Sequence, residues 1–181
     1  ESIKVFKSLV ENNPSKIELK YELSKLLIQS GSYKEGIRYL DIIEQEVGVS
    51  EEISFLKQRI YLSNNDVDGA ARELEKLIEA YPNEMRYYGI LSEVYLNNGK
   101  KEKAQKVYER MVELSPDDFM VQFALAEYYR VEGKKKEYLA AIHKAFSRPE
   151  MNIDEKVKYV LTFYQVDDKD QVRKQEGIEL C

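Results

Sequence analysis

The sequence predicts an all-α chain arranged as a solenoid of antiparallel helix pairs, and three observations carry that prediction. Punctuating residues recur at one interval: Pro82 and Pro116, Gly99 and Gly133, and Ala70 and Ala104 are each 34 apart, while Pro14 to Pro82 and Gly31 to Gly99 are each 68, two intervals. A fixed period in this range marks stacked repeats, none of which can bury its apolar face alone. Within each period apolar residues follow helical spacing twice over, as Ile37, Leu40 and Ile43 do. Only 8 Gly and 4 Pro occur in 181 residues, against 34% charged and 43% hydrophobic, a balance suited to helices and too apolar for disorder.

Residues 1–13 read as the second helix of an upstream pair whose first helix is missing, with Phe6 and Leu9 in core slots. After Pro14, Ser15-x-x-Glu18 has the pattern of a capping box and predicts a helix start. Residues 17–30 form that helix, stopped by Gly31, which takes a left-handed conformation at little cost. Residues 33–46 pair with it. Residues 51–63 and 67–80 repeat the pair, followed by 84–98 with 100–114 and by 119–132 with 134–147. Pro82 and Pro116 follow second helices that they cannot continue. Residues 153–165 predict a further first helix, and the tail EGIELC at 176–181 echoes EGIRYL at 35–40, predicting half of a second one. The division is a partial unit 1–16, repeats 17–50, 51–84, 85–118 and 119–152, and a degenerate fifth unit 153–181. Neither end has the polar cap a solenoid needs, so the chain is expected to be a segment of a longer array.

The copy at 85–118 carries Tyr88, Leu91, Ser92 and Tyr95 on its first helix, then Ala104, Tyr108, Met111 and Pro116. This pattern resembles the tetratricopeptide repeat family, whose unit is a helix–turn–helix of the same length. Ser92 stands where the family has glycine, and Met111 where it has alanine. The copy at 51–84 keeps Tyr61, Ala70, Leu74, Leu77 and Pro82 but places Ser54, Lys57 and Gln58 in core slots; the copy at 17–50 has Gly48 instead of the terminal proline. The small slot, Gly36, Ala70 and Ala104, lets paired helices approach closely, while Leu40, Leu74 and Tyr108 fill the gap toward the neighbouring pair. Tyr138 occupies the small slot at 119–152, so that pair is expected to splay. The resemblance implies a right-handed superhelical solenoid.

No reaction centre is legible. His143, the only histidine, falls on the outward side of its helix, and Asp66-x-Asp68-Gly69 lacks the remaining ligands of a calcium loop and reads as a cap and turn. Asp167-Asp168-Lys169-Asp170 reads as a solvated loop. The lone Cys181 excludes an internal disulfide and a multi-cysteine metal site. With no phosphate-cradling glycine motif, nucleophile elbow or zinc spacing, no catalytic residue, cofactor or metal is expected. A net charge of -5, and the lack of aromatics interleaved with Lys100-Lys101-x-Lys103 and Lys134-Lys135-Lys136, speak against a nucleic-acid partner and make those runs a solubilising edge. No apolar run nears the ~20 residues of a membrane span.

By resemblance, function resides on the concave face lined by first helices. The fifth slot of successive units reads Tyr21, Phe55, Gly89 and Phe123, an aromatic row with a notch. The ninth reads Lys25, Arg59, Glu93 and Glu127, with a change of sign halfway, and the twelfth Ile28, Leu62, Leu96 and Arg130. The resemblance therefore implies that Tyr21, Lys25, Phe55, Arg59, Glu93, Phe123 and Glu127 contact a protein or peptide partner. Burial of the aromatic row between tightly curved units is the competing expectation. Chaperone-binding relatives hold a terminal carboxylate with Lys, Asn and Arg; the corresponding slots read Tyr21, Lys25, Leu56, Arg86 and Ile90, or Phe55, Arg59, Ile90, Met120 and Ala124, and assemble no such clamp. The chain reads as a non-catalytic interaction scaffold. Two alternatives stay open, an oligomerisation or regulatory module of a larger enzyme or envelope assembly, and an RNA-binding helical repeat. The loose repeats, rich in tyrosine and lysine, resemble bacterial members, some of them exported to the cell envelope, and open array ends allow self-association.

Overall fold

The computed structural model describes residues 1–164. Its ten helices are α1 (Ser2–Asn12), α2 (Ile17–Gln29), α3 (Tyr33–Val47), α4 (Glu51–Ser63), α5 (Val67–Ala80), α6 (Met85–Asn97), α7 (Lys101–Leu114), α8 (Phe119–Val131), α9 (Lys135–Phe146) and α10 (Ile153–Tyr164). No strand occurs among the described residues. The acidic cluster at 167–170 and the echo at 176–181 lie outside them. The helices divide into two compact units, Glu1–Asn98 and a second beginning at Gly99.

In the first unit each helix from α1 to α6 packs on the next. Leu23 and Leu27 of α2 are buried under Val10 of α1, and Leu40 and Ile43 of α3 meet Ile53 of α4. The small slot behaves as its chemistry requires. A Cβ on Gly36 would stand 2.7 Å from Ile28 Cγ1 and 3.1 Å from the Ser24 carbonyl oxygen, and Ala70 is fully buried. That spacing leaves no room for a larger residue without moving backbone.

The turns between first and second helices repeat one device. Gly31, Gly99 and Gly133 have φ of 82°, 71° and 71°, and Asn65, at the fourth equivalent position, has φ 59°. Asparagine is the residue other than glycine that tolerates this region best. The slot is thus filled in every period, although a search for glycine alone leaves it blank at 65.

Capping differs from expectation. Ser15 lies in the turn and Lys16 is the N-cap of α2, with no side-chain cap bond. The turn after Pro14 closes when Lys16 N donates to Asn13 O at 3.1 Å, which leaves the serine one residue too early to cap. The aspartates cap instead: Asp66 Oδ1 accepts from Gly69 N and Asp118 Oδ1 from Met120 N, both at 2.7 Å. A reciprocal box opens α10, where Asn152 Oδ1 accepts from Glu155 N and Glu155 Oε2 from Asn152 N, each at 2.9 Å.

In the second unit α7 packs on α8 and α8 on α9. The expected splaying of the last pair does not occur. Helices α8 and α9 pack closely along their length, and Tyr138 is only 3% exposed. Its bulk is accommodated because α8 presents Ala126, wholly buried in the same cluster as Tyr138, Ala141 and Ile142. A small residue on the facing helix substitutes for one in the usual slot.

Candidate functional site

First helices of the first unit are laced together by tyrosine–glutamate bonds. Tyr21 Oη on α2 donates to Glu52 Oε1 on α4 at 2.6 Å, and Tyr87 Oη on α6 donates to Glu51 Oε2 at 2.8 Å. Arg86 adds a 2.9 Å bond to the same Glu51 oxygen, and its guanidinium lies 5.1 Å from the Tyr87 ring centre. The bonds from Tyr87 and Arg86 hold the Glu51 carboxyl below the usual glutamate range. The Glu52 bond, followed by burial, pushes the Tyr21 hydroxyl up, whereas for Tyr87 burial leads and the Glu51 bond follows. Tyr21 is a fifth-slot residue of α2, whereas Glu51, Glu52, Arg86 and Tyr87 fall in the first three slots of α4 and α6. The glutamate pair opening α4 and the Arg–Tyr pair opening α6 one period later are the signal that could have found them.

On this frame Tyr21 and Phe55 are half-buried. Phe55 meets Tyr87 edge-on with ring centres 6.2 Å apart. Lys25 Nζ stands 5.3 Å from the Tyr21 ring centre and 2.7 Å from Glu22 Oε1. Arg59 and Glu93 are exposed, and neither forms an ion pair among the described residues. Gly89 is half-buried in mid-helix, and a Cβ placed there would meet nothing within 4 Å. The twelfth slot contributes less, since Ile28 packs into the α3–α4 core and Leu96 is buried.

The second unit uses the same slots differently. Phe123 stacks on Tyr159 of α10 with ring centres 4.1 Å apart and also meets Phe119 and Phe146 edge-on, so it ties α8, α9 and α10 together. Glu127 is bonded by Arg130, the twelfth-slot residue, with Nε donating at 2.8 Å. On α10 the fifth and ninth slots are Val157 and Leu161, 49% and 48% exposed, residues the sequence reading did not carry forward although the period reaches them.

The sequence model described as tetratricopeptide repeat matches residues 59–119 and 91–148. The chain belongs to the tetratricopeptide repeat family. No curated protein matches it. Among solved structures it is similar to MamA, with 21% identity over 87% of this chain and 84% of that one and a TM-score of 0.56. It is also similar to TTC0263, a thermophilic TPR protein in Thermus thermophilus, with 18% identity, coverage of 90% and 89%, and a TM-score of 0.53. YrrB, described as a TPR protein with an unusual peptide-binding site, matches at 15% identity, coverage of 97% and 91%, and a TM-score of 0.50. These likenesses establish an all-α helical-repeat fold.

One tetratricopeptide unit departs from the family inside its core. Lys57, with no exposure at all, places Nζ 2.5 Å from Asp41 Oδ1, 2.8 Å from Glu44 Oε2 and 2.9 Å from Glu73 Oε2. Ser54 Oγ donates to Glu44 Oε1 at 3.2 Å, and Lys76 reaches Glu73 at 3.0 Å from the rim. Burial works to lower the Lys57 pKa, but the bonds to Asp41, Glu44 and Glu73 outweigh it and hold the amine above its ordinary value. Its proton is therefore fixed, and the ammonium is a structural cation joining α3, α4 and α5. Ser54 and Lys57, which look misplaced in this repeat, belong to one bonded network. The described residues contain no group of three or more His, Cys, Asp or Glu suited to a metal ion, and no helix long and apolar enough to cross a membrane.

Proposed function

We propose that the chain is a non-catalytic protein-interaction scaffold whose first-helix face takes a peptide or protein segment. In the first unit Tyr21, Lys25, Phe55, Arg59 and Glu93 are the contact residues, and Phe123 and Glu127 hold the matching slots in the second. The tetratricopeptide fold supports the general role, since the family presents helical faces to partners rather than reaction centres. The single observation that carries the finer reading is the open space over Gly89. Glycine inside a helix costs about 1 kcal/mol relative to alanine, and nothing in the fold requires it there. A partner side chain lying against α6 gives that glycine a purpose, with the cationic Arg59 on α4 and the anionic Glu93 one turn further along α6 to orient it.

Affinity capture with the full chain tests this. Gly89→Trp fills the notch from the outside and is expected to remove the partners that wild type retains, while the helical circular dichroism and melting temperature persist. An unchanged set of partners would sink the proposal. Phe123→Ala is a poor probe, because losing the Tyr159 stack confounds binding with stability.

A further inference from the structure

The repeat register allows one junction of the fold to be compared at three places. Wherever a first helix lies beneath two successive second helices, three positions meet. They are Val10, Leu23 and Tyr39 at α1/α2/α3, then Glu44, Lys57 and Glu73 at α3/α4/α5, and Val112, Leu125 and Ala141 at α7/α8/α9. The first junction is closed by an aromatic ring, Tyr39 packing against buried Val10 and Leu23. The second is closed by ions, Lys57 bonding to both Glu44 and Glu73. At the third the covering residue is reduced to alanine. Val112 is 37% exposed, where its counterpart Val10 is 8% exposed, and Leu125 is partly open.

The consequence is a trench in the second unit. A cavity of about 330 Å³ is lined by Val112, Leu125, Tyr129, Ala140 and Ala141, and a neighbouring one of about 470 Å³ shares Val112, Leu125 and Tyr129. Its rim carries Glu109 and Glu113 on α7 and Glu137 on α9; of the lysines there, Lys134 lies 5.9 Å from the Tyr128 ring centre and the Lys144 ammonium stands 3.4 Å from Asp117. The walls are helices, whose backbone groups are already paired, so an extended peptide would find no ladder to join. A helix brings its own hydrogen bonds.

We infer that the α7/α9 trench docks an amphipathic helix from a protein partner, which lays an aromatic side chain over Ala141 and sets Lys or Arg against Glu109 and Glu113. The partner supplies from outside what Tyr39 supplies within the chain. This surface opens between the second helices α7 and α9, with Leu125 and Tyr129 of α8 among its lining, and involves none of the first-helix residues proposed above.

The test uses the full chain and a synthetic stapled helix that carries Tyr and Leu one turn apart on one face and lysines on both flanks. A second peptide with glutamate in place of each lysine serves as comparison. Titration by fluorescence anisotropy is expected to show binding of the lysine peptide only. Ala141→Tyr closes the trench with the chain's own ring and should weaken binding by tenfold or more, about 1.4 kcal/mol. Val112→Trp, at a half-exposed position, does the same should Ala141→Tyr fail to fold. Phe55→Ala, on the first-helix face, should leave this affinity unchanged. No binding of the lysine peptide, equal binding of the glutamate peptide, or equal affinity in the trench-filling variants would overturn the inference.

Discussion

At the scale of single residues the chain's most consequential choice is Lys57, a cation with no solvent exposure held by Asp41, Glu44 and Glu73. Removing one partner of a buried ionic set leaves the others uncompensated, so Lys57→Met is expected to cost about 3–5 kcal/mol in urea denaturation. Exchanging the set together is a different matter. Glu44→Val, Lys57→Leu and Glu73→Ala in one chain installs the residues used two periods later, and should recover most of that loss, because apolar replacement of a buried ionic group is commonly neutral or better. The pH dependence has a definite sign. The folded pKa of Lys57 lies above its unfolded value, so its contribution is complete below the ordinary lysine value of about 10.4 and is lost as pH rises through the folded one. Glu51 is the reverse case. Its folded pKa is depressed, so its contribution is present above the ordinary glutamate value and is lost as pH falls through the folded one. Urea midpoints measured across alkaline pH should fall in wild type relative to the triple variant as pH rises past the lysine range.

At the scale of elements the helices depend on how they begin and end. Asp66 and Asp118 each satisfy a backbone N–H at the start of α5 and α8. Asp66→Ala and Asp118→Ala should each cost about 1 kcal/mol in thermal denaturation. Asn65 takes a left-handed conformation between α4 and α5. Asn65→Gly is therefore expected to leave the melting temperature level or raise it, whereas Asn65→Ala should destabilise by about 1 kcal/mol. Gly89 offers the opposite contrast within α6. With nothing within 4 Å of an added Cβ and no positive φ, Gly89→Ala should stabilise by about 0.4–1 kcal/mol. A fall in stability there would show that the glycine serves the fold, which would remove the reason to assign it to a partner.

Across the whole molecule, what could be read in advance is what the 34-residue period repeats. Helix order, the small slot at Gly36 and Ala70, the outward His143 and the cap at Asp66 all depend on positions within one unit and its immediate neighbour. The misses arise from what the period does not repeat. Ser15 failed as a cap because a turn shifted the helix start by one residue. Tyr138 did not force its pair apart because Ala126 on the facing helix made room. Lys57 looked like an error in the core because its three carboxylates come from two other helices. The last two depend on side chains that converge from separate elements, which periodicity does not report. The same reasoning yields a prediction about cooperativity. In stacked repeats each unit contacts only its neighbours, so stability is nearly a sum of local terms. The first unit's cores at Val10–Leu23 and Leu40–Ile53 and the second unit's core at Ala126–Ile142 are built from helices adjacent in sequence. Lys57→Met should therefore accelerate amide hydrogen exchange in α3, α4 and α5 while α8 and α9 keep their wild-type protection. Uniform acceleration through both sets of helices would mean that the chain unfolds as one body, and the repeat-by-repeat description of its stability would fail.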